Sequence, residues 1–396
     1  MAMNDPVASA IATPAQTTPP KRLNFFERYL SVWVLVCMAV GVALGKLMPD
    51  TVATLSKLEF GQGSQVNIPI AVLIWLMIYP MMLKIDFGAL AGVTRRPKGL
   101  LVTLFVNWLV KPFSMAFFAW VFLQHVFAAW IDPETARNYT AGLIILAVAP
   151  CTAMVFVWSY LTDGDPAYTL VQVAVNDLIM LFAFAPIVMF LCGVANVIVP
   201  SEVLITSVVV FIVIPLVAGW LTRTLLLRSH GLEWFEKVFL PKFHPVTVMA
   251  LLATLVLIFA FQAENLTTKW FAVILLAVPI LVQVYFNSSL AYGLMRLFRV
   301  PHNVASPGAL IGASNFFELA VAVAITLFGP GSPAALACVV GVLVEVPVML
   351  SVCKVCNATR GWYQRSLGET AASQGVQSAG TLRVGNPIRP RLPGTL

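Results

Sequence analysis

Residues 139–161 read YTAGLIILAVAPCTAMVFVWSYL. The stretch carries no charged side chain and is long enough, as a helix, to cross a hydrocarbon core of about 30 Å. Pro150 sits in its middle, where it removes a backbone donor and disturbs the preceding turn. Irregular backbone at membrane depth is tolerated only where it lines a cavity or is buried in protein. The stretch therefore reads as a membrane helix broken at a functional place.

Working outward, nine further apolar stretches of similar length appear near 29–48, 67–84, 99–125, 166–193, 201–223, 243–263, 269–296, 303–328 and 333–358. Composition agrees: 60% of the 396 residues are apolar and 10% are charged, against about a quarter charged in soluble domains. Lipid must be the solvent for most of such a chain. The six cysteines form neither a disulfide framework nor a zinc pattern. The formal charge of +7 is no nucleic-acid signal, because the basic residues sit in short loops between apolar segments. The first twenty residues are polar and Pro/Thr-rich, without the pattern of a cleavable signal.

Ten spans place both termini on one side. Loops on that side hold Lys84, Arg95, Arg96, Lys98, Arg223, Arg228, Lys237, Lys242, Arg296 and Arg299, whereas the other side holds Lys46, Lys57, Arg137 and Lys269. The positive-inside rule makes the first side cytoplasmic. The expected fold is thus an all-α membrane protein of ten transmembrane helices in the cytoplasmic (inner or plasma) membrane. Disordered cytoplasmic tails at 1–23 and 363–396 are expected to flank two five-helix halves, 24–193 and 194–362.

An odd-numbered half inserts its second copy upside down, which is an inverted repeat. Polar marks fall at matching places. The third and eighth segments carry Asn107 and Asn287. The fourth and ninth carry Pro150-Cys151-Thr152 and Ser314-Asn315-Phe316-Phe317-Glu318, and the fifth and tenth carry Asn176-Asp177 and Glu345. Asn315 and Glu318 have capping-box spacing, which would start a new half-helix in the ninth segment. The fourth and ninth segments would then be discontinuous and cross near the midplane, with two half-helix N-termini facing each other. Such termini offer free N–H groups and partial positive charge.

Ionisable groups at this depth are costly and need a reason. Glu318 reads as a proton-cycling carboxyl or as a protonated cap; Glu345 and Asp177 read as further proton carriers or as helix braces. Lys111 either pairs with Asp177 or Glu345 or snorkels to an interface. Asn107, Asn176 and Asn287 either line a solute path or bind helices together. Cys151 differs from the other five cysteines in lying at the break, where a helix N-terminus would favour the thiolate, a soft ligand for soft metals and metalloids.

The run Ala149-Pro150-Cys151-Thr152-Ala153-Met154-Val155-Phe156-Val157-Trp158-Ser159 resembles the signature of the arsenite efflux permeases of the third arsenical-resistance type. Tyr79-Pro80-Met81-Met82, Val175-Asn176-Asp177 and Gly312-Ala313-Ser314-Asn315-Phe316-Phe317-Glu318-Leu319-Ala320 are similar to other stretches of that family. The resemblance covers residues 24 to 362 and lies within the bile acid/arsenite/riboflavin transporter superfamily. It implies export of trivalent arsenite, in some members antimonite, in exchange for protons, and thereby arsenic resistance. It places the essential Cys and Glu at Cys151 and Glu318. Cys151 would make one reversible arsenic(III) contact, with Thr152, Ser314 and Asn315 hydrogen-bonding the hydroxyls of As(OH)₃. No cofactor is called for, and no Walker-type stretch or obligatory ATPase subunit is evident.

Two other classes compete. A sodium-coupled organic-anion symporter on the same fold would use Asn315, Glu318 and Asn176 as ion ligands. An intramembrane enzyme would need a nucleophile with a partnered base, and the four histidines, His125, His230, His244 and His302, lie at segment ends or in loops.

Overall fold

A computed structural model describes residues 29–59, 66–84, 97–152 and 154–365. The tail expected at 1–23 and residues 366–396 lie outside the described residues, as do Arg95 and Arg96. What is described is helical, and the only bridge pairings among the described residues join Glu59 to Asn67 and Pro150 to Asn315. The chain is an all-α, multi-pass membrane protein.

Each of the ten expected stretches falls on helix. Among the described residues, six helices are long and apolar enough to cross a membrane on their own: 97–126, 166–194, 201–230, 232–261, 270–297 and 333–358. The other four stretches are shorter or interrupted. In chain order, α1 is Leu30–Leu47, bent by 103° at Met48 into α2, Pro49–Ser56. The 15-residue α3 is Ile68–Met82. Residues 97–126 comprise α4 (Pro97–Phe105), a π turn at Val106–Val110, α5 (Lys111–Val121) and a second π turn. The fourth stretch is α6 (Pro133–Val148) and α7 (Val155–Leu161), and α8 is Pro166–Val194. Then come α9 (Ser201–Val208), a π turn, α10 (Ile214–His230) and α11 (Leu232–Trp234). They are followed by α12 (Phe243–Phe261), α13 (Ala263–Thr268) and α14 (Trp270–Leu297). The ninth stretch is α15 (His302–Ala313) and α16 (Phe317–Phe328); α17 is Pro333–Ala358.

Several boundaries shift: the fourth stretch begins at Pro133, and the sixth runs on to His230. The seventh stretch starts earlier than expected, because a π turn and a 3₁₀ turn carry helix from Leu232 into α12. The tail expected from residue 363 does not begin there: helix continues to Arg365. Tyr363 is buried, its hydroxyl donates to the Val300 carbonyl at 2.7 Å, and its ring packs on Tyr292 and His302. An aromatic anchor of this kind holds chain that polar composition alone would release.

The polarity of the molecule is inverted relative to a soluble protein. Phe182, Phe190, Ile198, Leu225 and Leu109 are exposed around the outside, whereas Asn107, Lys111, Gln172, Asn176, Asp177, Gln283, Asn287, Glu318 and Glu345 are buried. The long helix α17 is the most enclosed, packed against α6, α14 and α16. Small residues allow the closest approach: a Cβ on Gly142 would collide with the backbone of Ala334, and one on Gly341 with Leu146. Close packing through small residues is the usual way for membrane helices to associate.

Candidate functional site

The two interrupted helices meet at their breaks. Pro150 pairs with Asn315 in an isolated antiparallel bridge, and the Phe316 N–H donates to the Ala149 carbonyl at 2.9 Å. The chain is extended at Ala149 (φ −89°, ψ 107°) and at Ser314 (φ −86°, ψ 156°). Pro150 explains the first break, since it offers no donor to continue the ladder. The second break lacks a proline at its centre; Gly312-Ala313-Ser314-Asn315 is a weak helical run that yields to outside partners.

Those partners come from α5 and α17. The fully buried Lys111 Nζ donates to the Ser314 carbonyl at 2.8 Å. The Glu345 carboxylate accepts from the Asn315 N–H at 2.7 Å and from Asn315 Nδ2 at 3.3 Å. The Ser314 carbonyl and the Asn315 N–H belong to one peptide unit. A cation therefore holds its oxygen and an anion its nitrogen, and each polarises the group that the other binds.

Lys111 reaches this point because of local backbone. The following residue, Pro112, offers no N–H, and the Lys111 N–H bonds five residues back to Val106, making the π turn. The same turn presents Asn107 Nδ2 and Trp108 Nε1 to Asn176 Oδ1, at 3.1 and 2.9 Å. Asn176 Nδ2 returns to the Gln172 carbonyl at 2.8 Å, and Thr103 donates to Gln172 Oε1 at 2.6 Å.

The first break contributes the free groups. Cys151 and Thr152 are buried, and Cys151 lies beside Ser314 and within electrostatic reach of Glu345, Glu318 and Lys111. Thr152 Oγ1, Ser314 Oγ, Asn315 Oδ1 and Glu318 Oε1 are buried without a hydrogen-bond partner. Buried polar atoms are normally paired, so four orphans on the residues around one thiol mark a place built for something else to bind.

Of the residues singled out from sequence, Cys151, Thr152, Ser314, Asn315, Glu318 and Glu345 come together at the crossing. Asn107 and Asn176 pair with one another instead, between α8 and the π turn after α4. Asp177 is buried with neither carboxylate oxygen partnered and is not the partner of Lys111. Asn287 pairs weakly with Ser114 at 3.4 Å. Three expectations are corrected. Lys111 does not snorkel to an interface. The N-cap of α16 is Phe316, not Asn315, so no capping box forms: the Asn315 N–H and amide are committed to Glu345. Cys151 also precedes Met154, the N-cap of α7, by three residues, which takes the thiol outside the first turn whose dipole would have favoured the thiolate. Gln283 was not anticipated; it is buried with both amide atoms unpartnered, and lone glutamines in an apolar helix carry no sequence pattern that would reveal this.

Comparison with known proteins places the chain. The model of the Sodium Bile acid symporter family matches residues 71–269. An arsenical-resistance protein Acr3 of Alkaliphilus metalliredigens is 58% identical over 343 residues, covering 87% of this chain and 95% of that protein. This chain belongs to the Sodium Bile acid symporter family. Within reach of the same comparison are an uncharacterised transporter of Synechocystis, 43% identical over 352 residues (87% and 91% covered), and an arsenical-resistance protein Acr3 of Corynebacterium glutamicum, 32% identical over 346 residues (84% and 88% covered). The family match includes only the first break, whereas the alignments to the three relatives, each covering 84% or more of this chain, are long enough to include both.

Proposed function

We propose that this chain exports arsenite, and also antimonite, across the cytoplasmic membrane in exchange for protons, with both termini in the cytoplasm and two inverted five-helix halves forming the site. The single observation that carries the reading is the group of four unpartnered polar atoms around Cys151 at the crossing. The names of two relatives supply the substrate class.

Arsenite near neutral pH is the neutral As(OH)₃, which needs hydrogen-bond partners but no counter-charge. The Cys151 thiol displaces one hydroxyl: an S–As bond forms, an As–O bond breaks, and the thiol proton leaves with the hydroxyl as water. Reversal with water releases the cargo. Thr152, Ser314 and Asn315 bond the remaining hydroxyls, and a single sulfur contact keeps release feasible. Glu318 takes and gives the exchanged proton, because its free oxygen faces the same crossing. Asp177, also unpartnered, carries protons along α8, while Glu345 links protonation to the position of the second break. Rocking of one bundle against the other exposes the site to each side in turn.

The test is arsenite accumulation in everted membrane vesicles, with and without a pH gradient, for wild type and Cys151→Ser. Gradient-driven uptake that the substitution abolishes is expected. Uptake driven by a sodium gradient instead, or none at all, overturns the exchange.

A further inference from the structure

We propose that Lys111 is a tethered cation: its ammonium fills a monovalent-cation locus at the second helix break, so that transport by this chain runs without sodium. The inference rests on the transport reading above and adds the identity of the ion at its centre.

Cation sites in interrupted membrane helices are built from carbonyls freed by unwinding, from the negative C-terminal end of a half-helix, and from a nearby carboxylate. All three are present. Ser314 is the C-cap of α15, and its carbonyl points to Lys111 Nζ at 2.8 Å. The Glu345 carboxylate binds the N–H of the same peptide unit and is the main anion acting on Lys111. Further oxygens stand unpartnered on the adjacent residues: Ser314 Oγ, Asn315 Oδ1 and Glu318 Oε1. None of these three is bonded to Lys111 in this structure; the ammonium answers the Ser314 carbonyl and the charge of Glu345, and the three oxygens are further ligands that a smaller cation could reach. A lysine that merely braced helices would not need a break in the partner helix. Four residues beyond Asn287, where the other half has the position corresponding to Lys111 after Asn107, stands Ala291. The cation is thus supplied once.

Removing the ammonium while leaving space should recreate an ion site; removing it while filling the space should not. The experiment compares wild type, Lys111→Ala and Lys111→Met, purified and reconstituted in proteoliposomes. Arsenite flux under a pH gradient is measured in choline or sodium salts. Melting temperature in detergent is measured against sodium concentration. Wild-type flux is expected to agree within about twofold between choline and sodium, since its locus is occupied. Lys111→Ala should lose at least tenfold in choline and recover in sodium, and sodium should raise its melting temperature. Lys111→Met should stay inactive and unresponsive in every salt.

Sodium-dependent flux in the wild type, full flux of Lys111→Ala in choline, or a folded Lys111→Ala that no cation restores or stabilises each overturns the proposal. If the wild type moves no arsenite in any salt, the transport reading fails, while sodium-dependent melting confined to Lys111→Ala still supports the locus. If neither variant can be purified folded, the wild type decides: a melting temperature that rises with sodium overturns the proposal, and one indifferent to it, beside sodium-independent flux, supports it.

Discussion

The two helix breaks look alike in outline and differ in what holds them. The break between α15 and α16 is gripped from both sides, by Lys111 of α5 on the Ser314 carbonyl and by Glu345 of α17 on the Asn315 N–H. Among the described residues the break between α6 and α7 shows no such grip: Pro150 offers no N–H, and the Ala149 carbonyl accepts from Phe316 of the other break. Of its side chains, the Thr152 hydroxyl has no partner and the Cys151 thiol has only Ser314 and the Met154 backbone beside it. One break is scaffold, clamped by charge; the other is reactive, and borrows its shape from the scaffold. Separating the two tasks lets a thiol remain uncommitted without the backbone around it losing position.

The comparison makes its largest demand on paired substitutions. Cys151→Ala should reduce arsenite flux to background while leaving the melting temperature within a degree or two, because a small buried side chain with little bonding is lost. Glu345→Ala should abolish flux and also destabilise the fold by about 3–5 kcal/mol, because Lys111 would remain buried without its anion. Equal stability losses in the two variants, measured by thermal unfolding in detergent, would erase the distinction between scaffold and reactive break.

A smaller effect is expected at Gly142, whose carbonyl accepts from Cys338 Sγ at 3.1 Å where α6 meets α17. Gly142→Ala forces these helices apart and should cost about 1–3 kcal/mol. Because α6 carries the reactive break, flux should fall with it; a variant as stable as wild type would show that the close approach does not position that break.

Smaller again are the hydroxyls. Thr152→Val and Ser314→Ala remove oxygens that have no partner in the resting site. Deleting an unsatisfied buried polar group is neutral or slightly stabilising, whereas a bound As(OH)₃ would lose a hydrogen bond. Stability should hold or rise while the apparent KM for arsenite increases several-fold; a fall in stability with unchanged KM would make these hydroxyls structural.

The smallest effect lies at the start of α6, where Asp132 Oδ1 accepts from the Thr135 N–H at 2.9 Å. The Thr135 hydroxyl, and after it this N–H, holds the Asp132 carboxyl below the usual carboxylate range. A lowered folded-state value means that the contribution is present above the unfolded value and disappears as pH falls through the folded one. Asp132→Ala should thus lower the melting temperature slightly at neutral pH and not at all in strong acid.

Much of the fold was legible from residues 139–161 and their surroundings. Apolar length, the paucity of charge and the basic loops specified helices in lipid, and Pro150 marked the first break before any coordinates. The second break was expected from a weak helical run and capping-box spacing, but what holds it was not legible, because nothing within Gly312–Glu318 forces the chain to unwind. The capping reading failed there since Glu345, 30 residues away, binds the Asn315 N–H that a local cap would have addressed.

The sequence by itself determined the solvent, the helical class and which residue types stand at the breaks, because these depend on composition and on chain-local chemistry. Only the tertiary structure decided that Lys111 meets a carbonyl 203 residues away, that Asp177 stands unpaired, and that Asn107 donates to Asn176. The reason is physical. Membrane helices that are apolar on every side carry no amphipathic stripe to announce which face turns inward. The π turn before Lys111 then rotates the register by a residue that no periodicity records.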